Sequence, residues 1–149
     1  MVKPGTRALG VAESTRGETC LLCGAVVRAD RVVDGVGFAT ATVGGLDATD
    51  AVQTLLGRLD REDIRYLLVS GVAPAWFNIL DLDRIAAAAG CPVVAVSYEA
   101  SAGLASTIDA EFDGEVATDR VGDPAGERAA AVLDEYTDGA ATSTGRTVL

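Results

Sequence analysis

Histidine is absent from the 149-residue chain, and lysine occurs once, at Lys3. Without histidine there can be no Ser-His-Asp or Cys-His nucleophile system, no His-ligated zinc and no c-type haem attachment. Without a lysine in the body of the fold, a Walker-type phosphate loop and Schiff-base chemistry are excluded as well. Long apolar runs are also missing. The longest, Ile85 to Val96, is broken by Gly90 and Pro92 and falls short of the ~20 residues that a spanning helix needs. Met1 to Arg7 has charges but no apolar stretch behind them, so the expectation is a cytoplasmic protein with no secretory signal and no membrane contact. Cysteines number three, Cys20, Cys23 and Cys91, an odd count that fits reduced thiols. Cys20-Leu-Leu-Cys23 has metal-motif spacing but falls within a run that reads as a strand. Side chains three apart on a strand point to opposite faces and cannot share one ion.

What the chain does contain is acid. Twelve basic residues, eleven of them arginine, stand against twenty-two acidic ones, for a net charge of −10. Scarce lysine with abundant Asp, Ala, Thr and Val suits a salt-loaded cytoplasm, where charges are screened within roughly 3 Å at 1 M. In such a solvent a negative net charge no longer argues strongly against a nucleic-acid partner. The charge is also uneven: residues 1–75 are close to neutral, and residues 76–149 carry nearly all of the excess.

Length and a hydrophobic content of 49% suit one domain, placed at residues 1–137, with residues 138–149 small, polar and expected to form a loose tail. Strands are predicted at Arg7–Val11, Thr19–Arg28 and Arg31–Val43, the last two joined by a tight hairpin at Ala29-Asp30. Asp34-Gly35-Val36-Gly37 interrupts the third strand as a bend or bulge. A helix follows Asp47, with Ala51, Val52, Leu55, Leu56 and Leu59 on one face. Arg65–Ser70 and Pro92–Ser97 read as strands buried on both faces. Between them a helix is predicted from about Trp76 to Ala89. Ser101–Phe112 and Ala125–Tyr136 are weaker helical segments. Three strands in meander followed by helical crossovers give a mixed α/β sheet of five strands in the order 3-2-1-4-5, with helices on both faces. This is the layout of the ribonuclease H-like fold; flavodoxin-like and other three-layer sheets do not start with a meander.

Ribonuclease H-like nucleases hold Mg²⁺ with carboxylates, because in-line attack on a phosphodiester needs hard oxygen ligands. Here Glu13 follows strand one, Asp47 opens the first helix, and Asp81 and Asp83 come early in the second. Each also has a plain structural reading: Glu13 as loop surface, Asp47 as a helix cap, Asp81 and Asp83 as solvated helix surface. Trp76 and Phe77 either stack on an unpaired base or anchor a helix to the sheet. Asn78 either reads a base edge or caps the helix.

At these residues the chain resembles the archaeal endonuclease dU family, related to endonuclease V of DNA repair. The resemblance runs from about Lys3 to Glu99. It is carried by Arg7-Ala-Leu-Gly-Val11, Gly45-Leu-Asp47-Ala-Thr49, Gly71-Val-Ala-Pro-Ala-Trp-Phe-Asn78-Ile-Leu-Asp81 and Pro92-Val-Val-Ala-Val96. It implies an endonuclease that uses Mg²⁺ (or Mn²⁺) on DNA with deaminated bases, deoxyuridine or deoxyinosine. Glu13, Asp47 and Asp81 would be catalytic and metal-binding, with Asn78, Trp76 and Ser70 on the substrate. Three positions depart from the family pattern. Ala12 stands where the first of two adjacent acids is usual, Gly44 where an Asp precedes the glycine, and Ser70 where endonuclease V has a metal-binding Asp. Those departures support the alternative of a module that kept the fold but lost the metal centre, binding nucleic acid or a protein without cutting.

Overall fold

The computed structural model describes residues 3–96 and 146–148. Its sheet has the order β3-β2-β1-β4-β5-β6. The elements are β1 (Arg7–Arg16), β2 (Thr19–Arg28), β3 (Val33–Thr42), α1 (Ala48–Leu59), β4 (Ile64–Ser70), α2 (Pro74–Phe77), α3 (Leu82–Ala89), β5 (Val93–Val96) and β6 (Arg146–Val148). β1, β2 and β3 pair antiparallel, while β4, β5 and β6 continue parallel to β1. The 3-2-1-4-5 ribonuclease H-like order is therefore present, with one strand added at its edge. That strand, Arg146–Val148, falls in the segment expected to be a loose tail.

β1 runs five residues past its predicted end. Ala12 to Arg16 look polar and loop-like, yet every one of them has a partner on β2, out to Arg16 opposite Thr19. A hairpin arm needs only cross-strand pairing, so polar residues can extend it. Glu13 is thus a strand residue, not a loop residue. The β2–β3 connection is also two residues longer than predicted, with Arg31 in a left-handed conformation (φ 69°), and β3 begins at Val33. The predicted bulge is real: Val26 pairs with Gly35 and Val27 with Val33, which leaves Asp34 as the extra residue.

One face of the sheet forms the core. Leu9, Val11, Cys20, Leu22, Val26, Leu67, Val69, Val93 and Ala95 are buried there with Val52 and Leu55 of α1 and Leu82 and Ile85 of α3. Gly24 and Gly37 face each other across β2 and β3, and α1 lies close over them. A Cβ at Gly24 would stand 2.8 Å from Leu55 Cδ2, and one at Gly37 3.0 Å from Leu59. On the opposite face Leu21, Val36, Phe38 and Tyr66 are exposed. Burial of β4 on both faces is accordingly incomplete: Arg65 and Tyr66 are open to solvent, while Leu67 and Val69 are sealed. The segments expected to be helical at Ser101–Phe112 and Ala125–Tyr136 lie outside the described residues. No helix among the described residues is long and apolar enough to cross a membrane.

The helix predicted from Trp76 to Ala89 is split. Only Leu82–Ala89 is a regular helix, with Asp81 as its N-cap accepting from the Arg84 amide. Before it, Ala75, Trp76 and Phe77 all have positive φ, at 50°, 57° and 57°. The left-handed region costs an L-residue about 1–2 kcal/mol, so three in succession persist only where neighbours hold them.

Candidate functional site

The residues singled out in the sequence gather at the C-terminal ends of β1 and β4, where open α/β sheets place their ligands. The geometry begins with Asn78. It is fully buried, and all three of its side-chain hydrogen bonds are internal. Its Nδ2 donates to the Thr42 carbonyl and to Asp47 Oδ1, both at 2.8 Å. Its Oδ1 accepts from the Ala48 amide, the first of α1, at 2.9 Å. Neither expectation for Asn78 is met as stated: it is sealed away from any base edge, and the helix it caps is α1, thirty residues upstream. Asp47 occupies the N-cap position of α1 but makes no side-chain cap bond. Its carboxylate turns back to β3 and accepts from the Thr42 amide (3.0 and 3.1 Å) and the Thr42 hydroxyl (2.8 Å). Burial pushes the Asp47 carboxyl up, but the bonds from the Thr42 amide, the Asn78 amide and the Thr42 hydroxyl outweigh it. The result is a pKa below the ordinary carboxylate range.

Glu13 Oε2 accepts from the Cys20 thiol at 3.1 Å and from the Ala75 amide at 3.0 Å. Cys20 lies on the same sheet face as Glu13, two residue pairs along the hairpin, and it is completely buried. Burial, then the hydrogen bond to Glu13 and the Glu13 charge, push this thiol up to about 11, with a further contribution from the Asp47 charge. Glu13 thus bonds the thiol directly, while Asp47 acts on it only through its charge. Cys23, on the other side of the alternating strand, is half-buried. The Ala75 carbonyl accepts from the Gly44 amide at 2.8 Å. Gly44 has φ 66°, which glycine adopts without penalty.

Asp81 is buried, not solvated as its helical position suggested. Its amide donates to Thr49 Oγ1 at 2.9 Å and its carboxylate caps α3. Ser70 ends β4 half-buried, opposite Val96. Trp76 is 73% exposed, which overturns its reading as a core anchor. The left-handed turn directs its ring to solvent while Pro74 and Ala75 beside it are buried.

The structure therefore links Asp47 with Asn78 and sets Glu13 near them, but does not draw Glu13, Asp47 and Asp81 around one point. Among the described residues no group of three Asp, Glu, Cys or His side chains could hold a metal ion. Both Asp47 oxygens accept from internal donors, and Asp81 caps a helix through Oδ1. The described carboxylates do not fit a three-ligand Mg²⁺ centre. Sequence reasoning missed Thr42, Thr49, Cys20 and Gly44. The signal for one of them, Thr49, was present: Gly45–Thr49 and Gly71–Asp81 are two motifs in sequence and one interlocked knot in space, through Asn78–Asp47, Asn78–Ala48 and Asp81–Thr49.

The family model for endonuclease dU matches residues 4–138. A UPF0215 protein of Methanopyrus kandleri is 35% identical over 99 residues, covering 64% of this chain and 50% of that protein. Another, from Pyrococcus horikoshii, is 32% identical over 100 residues, covering 64% and 52%. The chain spans about half the length of the curated relatives it matches. A crystal structure of an Archaeoglobus fulgidus protein of unknown function superposes with a TM-score of 0.65 at 26% identity, covering 87% of this chain and 69% of that one.

Proposed function

The chain belongs to the endonuclease dU family, and from that membership we propose that it is a cytoplasmic DNA-repair endonuclease acting on DNA with deaminated bases, deoxyuridine or deoxyinosine. The observation that carries recognition is Trp76, exposed on a left-handed turn held at the C-terminal ends of the central parallel strands. Chemistry on or beside a base requires the base to leave the stack, and an extruded base is stabilised by an aromatic face. Such stacking is worth about 1–3 kcal/mol per base and needs no particular base edge. Discrimination of uracil or hypoxanthine then comes partly from the lower cost of extruding a mispaired base. Ser70, at the end of β4, is on the same side and would line the approach.

Incision with Mg²⁺ or Mn²⁺ is what the family resemblance adds. Glu13 and Asp47 meet no arginine or lysine among the described residues, so this end of the sheet keeps negative charge, but its described carboxylates form no three-ligand centre for the ion. A second reading is favoured by a specific observation: the Asp47 oxygens and the Asp81 carboxylate are already engaged within the protein. A member in this condition would bind nucleic acid without cutting it.

The test is a nicking and binding assay at high salt with Mg²⁺ or Mn²⁺, using duplexes that carry uracil or hypoxanthine beside undamaged controls. Metal-dependent nicking of the damaged duplexes alone is expected for the endonuclease. Selective binding without nicking under any metal or salt condition would establish the binding module in its place. Equal affinity for damaged and undamaged duplexes would reject both.

A further inference from the structure

Trp76 is displayed on a backbone that no residue of the turn favours by itself. Ala75, Trp76 and Phe77 are all L-residues in the left-handed region, without the glycine or asparagine that normally occupies it. Both backbone polar groups of Ala75 are held from outside the turn. Its amide donates to Glu13 on β1, and its carbonyl accepts from Gly44 in the β3–α1 connection. Sixty-two residues separate Glu13 from Ala75, so the contact belongs to the tertiary fold and not to local turn chemistry. The carboxylate that makes it is itself fixed, because the buried Cys20 thiol donates to the same Oε2.

We propose that Glu13 is a positioning residue: by accepting the Ala75 amide it locks the left-handed turn and fixes Trp76 as a stacking platform for an extruded base. This rests on Trp76 being the base-contacting residue, but the lock itself exists in the free protein and is tested there. The role needs an acceptor oxygen, not a negative charge. It is therefore separable from any part that Glu13 plays toward a cation, which needs the charge.

The experiment compares the full chain with Glu13→Ala and Glu13→Gln. Trp76 is the sole tryptophan, so time-resolved fluorescence anisotropy reports the turn directly. Hydrogen exchange at the Gly44 amide reports the same turn from the opposite side without involving the bond that the mutation removes. In Glu13→Ala, local motion of Trp76 is expected to increase, Gly44 exchange to rise by about tenfold, and affinity for a uracil-containing single strand to fall by about tenfold. In Glu13→Gln all three are expected to stay near the parent, since the glutamine carbonyl still accepts from Ala75. Parent-like anisotropy and Gly44 exchange in Glu13→Ala would overturn the lock. So would a Gln variant that behaves like Ala. An opened turn with unchanged DNA affinity would overturn the positioning role. Should the parent itself not bind the uracil-containing strand, the function reading falls, while anisotropy and exchange still decide the lock.

Discussion

The two ends of the sheet handle their carboxylates in opposite ways. At the N-terminal ends of β1 and β4, Asp34 is held by both Arg7 and Arg61, and Asp63 pairs with the same two arginines. The residue squeezed out by the β3 bulge is thereby tied across β2 to the start of β1 and to the loop before β4. At the C-terminal ends, Glu13 and Asp47 are held by a thiol, a hydroxyl, a side-chain amide and backbone amides, all neutral. The first end closes its charge and fastens strands together. The second leaves its charge open and spends its hydrogen bonds on holding loops in conformations they would not choose.

The largest expected effect is at the neutral end. Asn78→Ala removes the acceptor for the Ala48 amide and the donors to Thr42 and Asp47 in a fully buried place. Stranding buried polar groups costs ~1–3 kcal/mol each, so urea unfolding should show a loss of about 3 kcal/mol. A loss under 1 kcal/mol would mean that the knot is not what joins α1 to the segment before α3. Asp47→Asn keeps one acceptor oxygen toward Thr42 and Asn78 and should cost less, about 1 kcal/mol, measured in the same way.

The charged end should respond to pH and salt instead. Arg7 and Arg61 lower the Asp34 carboxyl to about 2. A carboxyl depressed in the folded state contributes stability above its unfolded pKa and loses it as pH falls through the folded value. Stability carried by this network should thus decline from about pH 4 to pH 2. Arg61→Ala should flatten that decline, and molar salt should shrink the difference between variant and parent. If the Asn78 and Arg61 variants showed the same salt dependence, the contrast between the two ends would fail.

The smallest effect on the fold is expected at the turn. Trp76→Ala should leave the melting temperature within a few degrees of the parent, because the ring is already in water, yet weaken binding to uracil-containing single strands by about tenfold or more. A large drop in melting temperature would mean that the ring packs where the structure leaves it exposed.

The strand order was legible because hairpins and crossovers leave strong marks in sequence: turn residues, alternation, and apolar runs at Arg65–Ser70 and Pro92–Ser97. The Asp34 bulge was legible from its glycines. The end of β1 was not, since a strand paired on a hairpin arm can be polar throughout. The site was legible as residues and not as roles. Asp47, Asn78 and Asp81 stood out by motif, but what they touch includes the Thr42 carbonyl and the Ala48 and Arg84 amides, and backbone partners leave no trace in spacing. The left-handed turn was invisible for a related reason. Ala-Trp-Phe carries no local preference for it; the preference is imposed by Glu13 and Gly44 from elsewhere in the chain. Apolar Trp76 and Phe77 ahead of a helical pattern therefore read as core.

The most direct test of the account is a titration of Trp76 emission with a short duplex carrying one deoxyuridine mispaired with deoxyguanosine, against the fully matched duplex, both at molar salt. Stacking of the extruded base on the ring predicts saturable quenching of Trp76 emission, with at least tenfold tighter binding of the mispaired duplex than of the matched one. Identical curves for the two duplexes, or binding that leaves the Trp76 emission unchanged, would contradict it.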